Sequence, residues 1–249
     1  MDAKVRLHLD QPLGAGQPLT LAPEQAHYLL NVMRLGPGAR ILVFNGRDGE
    51  WLAELAPEGR RSARVLPLAP TRPPAPPPDL WLLFAPIKKA RTDFIVEKAA
   101  EMGVRRILPV QTDFTNAERI ARDRLQAHAV EAVEQCGGTF VPEVAELAPL
   151  ARVLDRWDAG RRLMLCDEAA AGAGRALPDP APGAAPGPWA VLIGPEGGFS
   201  PAERARLHVL PFVHVTSLGP RILRADTAAV AALALWQARL GDWGAVALP

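Results

Sequence analysis

Two short stretches hold residue types that could bind and activate a ligand. One is Val-Leu-Ile-Gly-Pro-Glu-Gly-Gly at 191–198; the other is Leu-Gly-Pro-Arg-Ile-Leu-Arg-Ala-Asp-Thr at 218–227. Each is an apolar run that stops at a glycine-containing turn and then opens a helix. The adjacent Gly197 and Gly198 allow positive φ and a close approach of backbone to a ligand. Glu196 is either a functional acid or a partner for local N–H groups. Arg221 and Arg224 flank Ile222 and Leu223, which sets two cations beside an apolar pair. That arrangement suits a flat base, with the cations reserved for phosphate or an RNA base. Two such turns can place helix starts and bare N–H groups together at the carboxyl ends of strands, where open α/β sheets bind ligands.

The elements around these stretches read as alternating strands and helices. Strands are expected over 80–85, 104–110, 163–166, 191–193 and 212–218, and helices over 117–136, 147–157 and 225–240. A further helix is expected from a Thr92/Asp93 cap to Met102, closed by Gly103. Ser200-Pro201-Ala202-Glu203 spells a capping box with proline at the first helical position. Lys98 and Glu101 are spaced for an ion pair on the helix. This βα alternation predicts a mainly parallel sheet with helices on both faces. Residues 169–188 are small residues and prolines, a surface loop with no core of its own.

Residues 1–68 read differently. Short strands are expected over 5–9, 40–44, 51–55 and 63–68, with Asn45-Gly46 and Asp48-Gly49 as hairpin signals. One helix is expected over 23–33, closed by Gly36-Pro37-Gly38. His27 and Arg34 are seven apart and would share its face, as a solvated edge or as a nucleic-acid contact. Residues 69–78, Ala-Pro-Thr-Arg-Pro-Pro-Ala-Pro-Pro-Pro, read as a stiff linker between this unit and a second domain at 79–249.

Composition narrows the function classes. The formal net charge of +1 excludes a global basic field, and two cysteines give neither a disulfide framework nor metal spacing. The five histidines show no ligand spacing, so no metal is expected. No phosphate-binding P-loop and no serine nucleophile elbow occurs. The first residues have no apolar signal core and no run is long enough to span a bilayer, so the cytoplasm is the expected compartment.

Six stretches in order resemble the RsmE family of ribosomal RNA methyltransferases, within the SPOUT superfamily. They are His27 with Val-Met-Arg-Leu-Gly-Pro-Gly at 32–38, Glu-Lys-Ala-Ala-Glu-Met-Gly-Val at 97–104, Glu-Gln-Cys-Gly at 134–137, residues 193–198, residues 218–227, and Gly241-Asp242. The resemblance implies an α/β fold: a SPOUT-type domain with a C-terminal deep trefoil knot, preceded by a small PUA-like β-barrel that helps bind RNA. It implies S-adenosylmethionine as cofactor, a homodimer, and 16S rRNA or the assembled small ribosomal subunit as partner. The implied reaction is methylation of N3 of one uridine in the decoding region.

Carried onto matching positions, the cofactor residues would be Leu165, Cys166, Asp167, Ile193, Gly194, Glu196, Gly198, Leu218, Gly219, Ile222, Leu223, Arg224 and Thr227. Backbone groups of Leu218 and Leu223 would hold the adenine edge, and Gly194 and Gly198 would leave room for the ligand. Arg221 or Arg224 would face the substrate base or phosphate, and His27 and Arg34 would touch RNA. Uridine N3–H must lose its proton before N3 can attack. An arginine would stabilise the anionic uracil, and Glu196 or Asp226 could take the proton, or no dedicated base is used. The chain departs from the family where arginines are usual: Phe114, Gly138 and Phe140 stand there instead. Two other readings stay open: a SPOUT methyltransferase of another specificity, such as ribose 2′-O transfer on tRNA, and a non-catalytic RNA-binding assembly factor.

Overall fold

The computed structural model describes residues 3–59, 62–170, 176–178 and 187–243. The chain divides into two compact units, Met1–Pro76 together with Val133–Val141, and Pro77–Ala132 together with Pro142–Pro249.

The first unit is a five-stranded sheet in the order β1-β3-β4-β5-β2. The strands are β1 (Arg6–His8), β2 (Leu19–Thr20), β3 (Arg40–Phe44), β4 (Glu50–Pro57) and β5 (Ala63–Arg72). β3 and β4 form the expected hairpin. In its loop, Asp48 accepts hydrogen bonds from the Leu13 N–H at 2.9 Å and the Asn45 amide at 2.7 Å. Alternating apolar residues, among them Leu7, Ile41, Val43, Ala53, Leu55, Ala63 and Val65, build one core. β5 continues to Arg72, four residues into the segment expected as a linker, and Pro70 stands opposite Trp51 next to a register shift. Proline lacks a ladder donor and is tolerated at such irregularities.

The expected helix over 23–33 is α-helical over α1 (Pro23–His27) and then widens to a π-helical turn over Tyr28–Val32. Arg34 has φ 53°, the left-handed conformation that ends helices, and the Leu35 N–H reaches back to the Leu29 carbonyl at 2.9 Å. Arg34 therefore lies beyond the helix and does not share a helical face with His27. Both are exposed. Burial of Leu29 in the core fixes the turn before the Gly36-Pro37 signal is reached.

Glu50 opens β4 with its side chain 3% exposed. It accepts from Arg6 Nε at 2.9 Å and from Arg72 Nε and Nη2 at 2.9 and 2.5 Å. Arg6 also donates to the carbonyls of Val133, Glu134 and Gly138 at 2.8, 3.1 and 2.6 Å. Arg72 donates to the Gly137 carbonyl, and the His8 N–H to the Glu134 carboxylate. The last carbonyls of a helix lack internal partners and carry the negative end of its dipole. Cations from the strands satisfy them here, and this binds residues 133–141 into the first unit.

The second unit is a parallel sheet in the order β12-β10-β11-β6-β7-β8, with β9 also paired to β7. Its strands are β6 (Leu80–Phe84), β7 (Arg106–Gln111), β8 (Glu143–Val144), β9 (Ala148–Pro149), β10 (Arg162–Cys166), β11 (Trp189–Ile193) and β12 (Val213–Val215). Every pairing is parallel. All five residues of β11 are buried, as expected for a strand covered on both faces. Leu83, Leu163, Leu165, Ala190, Leu192, Phe199 and Leu207 pack into one cluster. The helices are α2 (Lys89–Glu101), α3 (Arg122–Cys136), which ends in the first unit, α4 (Leu150–Asp155), α5 (Pro201–Val209) and α6 (Ala225–Arg239). The Lys98–Glu101 ion pair forms at 2.6 Å. Among the described residues no helix is long and apolar enough to cross a membrane.

Several bounds differ from those expected. α2 starts one turn earlier, with Lys88 as its cap residue. Thr92 is buried inside the helix, and its hydroxyl donates to the Ile87 carbonyl at 3.1 Å. α3 begins at Arg122, α4 is only six residues long, and β12 stops at Val215. Of the loop expected over 169–188, residues 171–175 and 179–186 lie outside the described residues.

Candidate cofactor site

The two turns singled out in the sequence lie at the carboxyl ends of β11 and β12. β10, between those strands in the sheet, contributes its own end. After β11, Pro195–Gly198 forms a tight turn, with the Gly198 N–H donating to the Pro195 carbonyl at 2.9 Å. α5 then opens with the expected capping box. Ser200 Oγ accepts from the Glu203 N–H at 3.2 Å, and the Glu203 carboxylate accepts from the Ser200 N–H at 2.9 Å. A cap of this kind contributes about 1 kcal/mol, and here it also fixes where the turn ends. After β12, Ser217 Oγ accepts from the Gly219 N–H at 3.2 Å, and Gly219 has φ 107°. Arg224, in extended conformation, is the cap residue of α6.

These three strand ends enclose a cavity of about 460 Å³, a common size for a small-molecule pocket. Of the residues expected there, Cys166, Asp167, Ile193, Gly194, Glu196, Gly198, Leu218, Gly219, Arg221, Ile222, Leu223 and Arg224 line it. Leu165 does not, because its side chain belongs to the sheet core. Thr227 stands exposed in the first turn of α6, its N–H bonded to Asp226 at 2.9 Å.

Both expected glycines also lie against the protein's own side chains. A Cβ on Gly194 would stand 3.0 Å from the Phe199 ring, and one on Gly198, where φ is 69°, would stand 2.3 Å from the Glu168 carboxylate. The space that a side chain would take is filled by the protein itself. Asp167 is likewise engaged: its buried carboxylate accepts from Arg204 Nε at 3.0 and 3.1 Å and from the Ala169 N–H at 3.1 Å.

Sequence reasoning missed Lys88, Arg91, Glu168, Phe199 and Thr216, all of which line the cavity. Arg91 is the most informative. Its Nη1 donates to Glu196 at 2.8 Å and its Nε lies 3.6 Å from Asp226. One guanidinium thus ties together the two carboxylates that were candidates for proton transfer. Thr216 is 1% exposed, and its hydroxyl oxygen has no partner within the protein among the described residues. An unpartnered buried hydroxyl on a cavity wall fits a ligand that hydrogen-bonds there. Lys88, Arg221 and Arg224 form no ion pair among the described residues and leave positive charge for an anionic group.

Burial pushes the Cys166 thiol up to about 12, so it stays a neutral thiol at ordinary pH. Only the thiolate is nucleophilic. Iodoacetamide at pH 8 is expected to alkylate the exposed Cys136 and spare Cys166. Peptide mass spectrometry finding an adduct on Cys166 would contradict this.

A parallel sheet whose strand ends open on glycine turns, helix starts and unpaired cations defines a ligand-binding α/β protein with provision for an anionic substrate. Residues 74–237 match the family model described as RNA methyltransferase domain, and residues 21–68 match the RNA methyltransferase PUA domain. The chain belongs to this RNA methyltransferase family. It is 28% identical to the ribosomal RNA small subunit methyltransferase E of Rickettsia conorii over 230 residues, 92% of this chain and 93% of that one. It is 27% identical to the protein of the same name from Bacillus subtilis, covering 90% and 91%. Among solved structures it is similar to ribosomal RNA small subunit methyltransferase E from Neisseria gonorrhoeae bound to S-adenosyl methionine. There the TM-score is 0.83 at 27% identity, covering 96% and 99% of the chains. A putative methyltransferase from Legionella pneumophila, in complex with the same cofactor, gives 0.80 at 26% identity, covering 96% and 98%.

Proposed function

We propose that this chain is an S-adenosylmethionine-dependent methyltransferase of small-subunit ribosomal RNA that acts in the cytoplasm on N3 of a uridine. The observation that carries the reading is the cavity at the ends of β10, β11 and β12, set in a family of RNA methyltransferases whose solved relatives hold that cofactor in a similar fold. When bound, S-adenosylmethionine supplies an electrophilic methyl group. The apolar side chains of Ile193, Leu218, Ile222 and Leu223 suit its adenine, and the Thr216 hydroxyl and the local cations suit its polar groups.

The rest of the chemistry falls to the chain. Uridine N3–H is a weak acid, and its loss leaves negative charge spread over the uracil ring. Arg224, at the start of α6, has no ion pair to break among the described residues and would stabilise that anion, with Arg221 on the RNA phosphate or sharing the same role. Glu196 or Asp226 would take the proton directly or through water, and Arg91 orients both carboxylates. His27 and Arg34, exposed on the first unit, would touch RNA.

We further infer a homodimer and a C-terminal trefoil knot. The apolar side chain of Leu235, on α6 and 40% exposed, supports the first. The placement of β10 between β11 and β12, out of chain order, supports the second. Light scattering tests the dimer.

Transfer of radiolabelled methyl from S-adenosylmethionine to small ribosomal subunits lacking the modification, with naked rRNA in parallel, tests the function. Label mapping to a single uridine N3 is the expected result. Label on a ribose, or on tRNA alone, would replace the specificity. Absence of label on any RNA despite cofactor binding would leave an RNA-binding factor.

A further inference from the structure

A second cavity of about 300 Å³ lies beside the first, and Lys88, Pro195 and Glu196 line both. Its most distinctive wall is Phe114, whose side chain is 46% exposed although it is a large aromatic. The turn that carries this ring is pinned from several sides. The Thr112 N–H donates to Thr115 Oγ1 at 2.9 Å, and the Thr115 N–H donates to the Thr112 carbonyl at 3.1 Å. The Asp113 N–H donates to Glu203 at 3.0 Å, and the Ser200 hydroxyl donates to the Asp113 carboxylate at 2.5 Å. The same Ser200 and Glu203 form the cap of α5, so the turn bearing Phe114 and the turn bearing Glu196 are fixed to one helix start. Gly197 faces the ring: a Cβ there would stand 3.4 Å from Phe114 Cβ and 3.7 Å from Cγ. With no side chain at Gly197, the ring stays uncovered.

A half-exposed aromatic on a rigid turn costs apolar hydration and does not fill a core. It does provide a stacking platform, and aromatic rings stack on nucleic-acid bases whatever their sequence. We propose that this second cavity receives the base to be methylated, a flat pyrimidine of the uracil class, stacked on Phe114. Lys88 and Glu196 then stand at the shared wall, where the base edge meets the methyl donor. This assignment rests on the methyl-transfer reading above.

The test compares wild type with Phe114→Ala, Phe114→Leu and Phe114→Tyr. Three quantities are measured: affinity for S-adenosylmethionine by calorimetry, affinity for a short uridine-containing oligoribonucleotide in the presence of S-adenosylhomocysteine, and kcat/KM for methyl transfer. The alanine and leucine variants are expected to keep cofactor affinity and melting temperature. They should lose about tenfold or more in oligonucleotide affinity and in kcat/KM, while tyrosine stays near wild type. An oligonucleotide abasic at the target position should bind wild type as weakly as the intact one binds Phe114→Ala. If leucine binds RNA as well as phenylalanine, or if Phe114→Ala loses cofactor and RNA together, the ring is packing and the proposal is overturned. The binding arm needs no turnover. A wild type that transfers no methyl to ribosomal RNA but binds uridine through Phe114 would refute the ribosomal specificity and uphold the base site.

Discussion

Arg224→Ala is expected to lower methyl transfer by about 10²–10³-fold while cofactor affinity changes by less than about threefold. The argument is positional. Arg224 is the extended cap residue of α6 and lines the cavity at the end of β12. It forms no ion pair among the described residues, so its removal leaves no buried carboxylate behind and should not unsettle the fold. Its charge matters only when negative charge appears on the base, and the loss should therefore fall mainly on kcat. Arg224→Lys should recover part of it, because a point charge replaces a planar fork. Arg91→Met gives the contrast. Arg91 holds Glu196 at 2.8 Å and lies 3.6 Å from Asp226, so its loss should lower transfer by releasing both carboxylates from their positions. Unchanged transfer by Arg224→Ala would end its assigned role.

Glu50→Gln is expected to destabilise the first unit by about 3–5 kcal/mol, the cost of breaking a buried ion pair from one side. The substitution keeps the shape and removes the charge that balances Arg6, whose side chain is 12% exposed, and part of that of Arg72. Arg6 would retain its three carbonyl partners, which places the effect toward the lower end. Burial by itself would raise the Glu50 carboxyl. The hydrogen bonds from Arg72, Arg6 and Thr71 outweigh it and hold the group below its ordinary value of 4.5. A depressed carboxylate stabilises the fold fully above that ordinary value, and the contribution fades as pH falls through the lower value of the folded state. Thermal melts should therefore show wild type losing stability below about pH 4, while Glu50→Gln, already without the contribution, falls less steeply there. Equal slopes would show that Glu50 is not the titrating group.

The site was legible where chemistry and chain geometry coincide. Apolar runs ending at Gly194-Pro195 and Gly219-Pro220 mark strand ends, and Ser200 with Glu203 marks a helix start. β11 ends at Ile193, directly before Gly194, and the Ser200 cap stands as read, whereas β12 stops at Val215, short of Gly219. Arg91 escaped because Thr92 and Asp93 look like a better cap than Lys88. In the folded chain the Thr92 hydroxyl turns inward to Ile87, and the helix gains the turn that carries Arg91 to the cavity. Nothing local announces that exchange. β2, β8 and β9, of two residues each, are too short to show any periodicity. Gly194 and Gly198 read as special positions in the sequence, but that a Cβ there would meet the Phe199 ring and the Glu168 carboxylate is decided by tertiary packing. The π turn at Tyr28–Val32 follows from the burial of Leu29, a tertiary demand that outranks the helical period.

The return of residues 133–141 to the N-terminal unit has a consequence for the order in which the protein is made. The first 76 residues leave the ribosome with Arg6, Glu50 and Arg72 in place, but the carbonyls that Arg6 and Arg72 address belong to residues synthesised later. Domains generally fold as units during synthesis, the N-terminal one first. Here the first unit cannot complete its polar core until β6, α2, β7 and all of α3 have also emerged. A nascent chain arrested between the two should hold a sheet with an unfinished charge network, and proteolysis of such arrested chains should change sharply once residue 141 clears the exit tunnel.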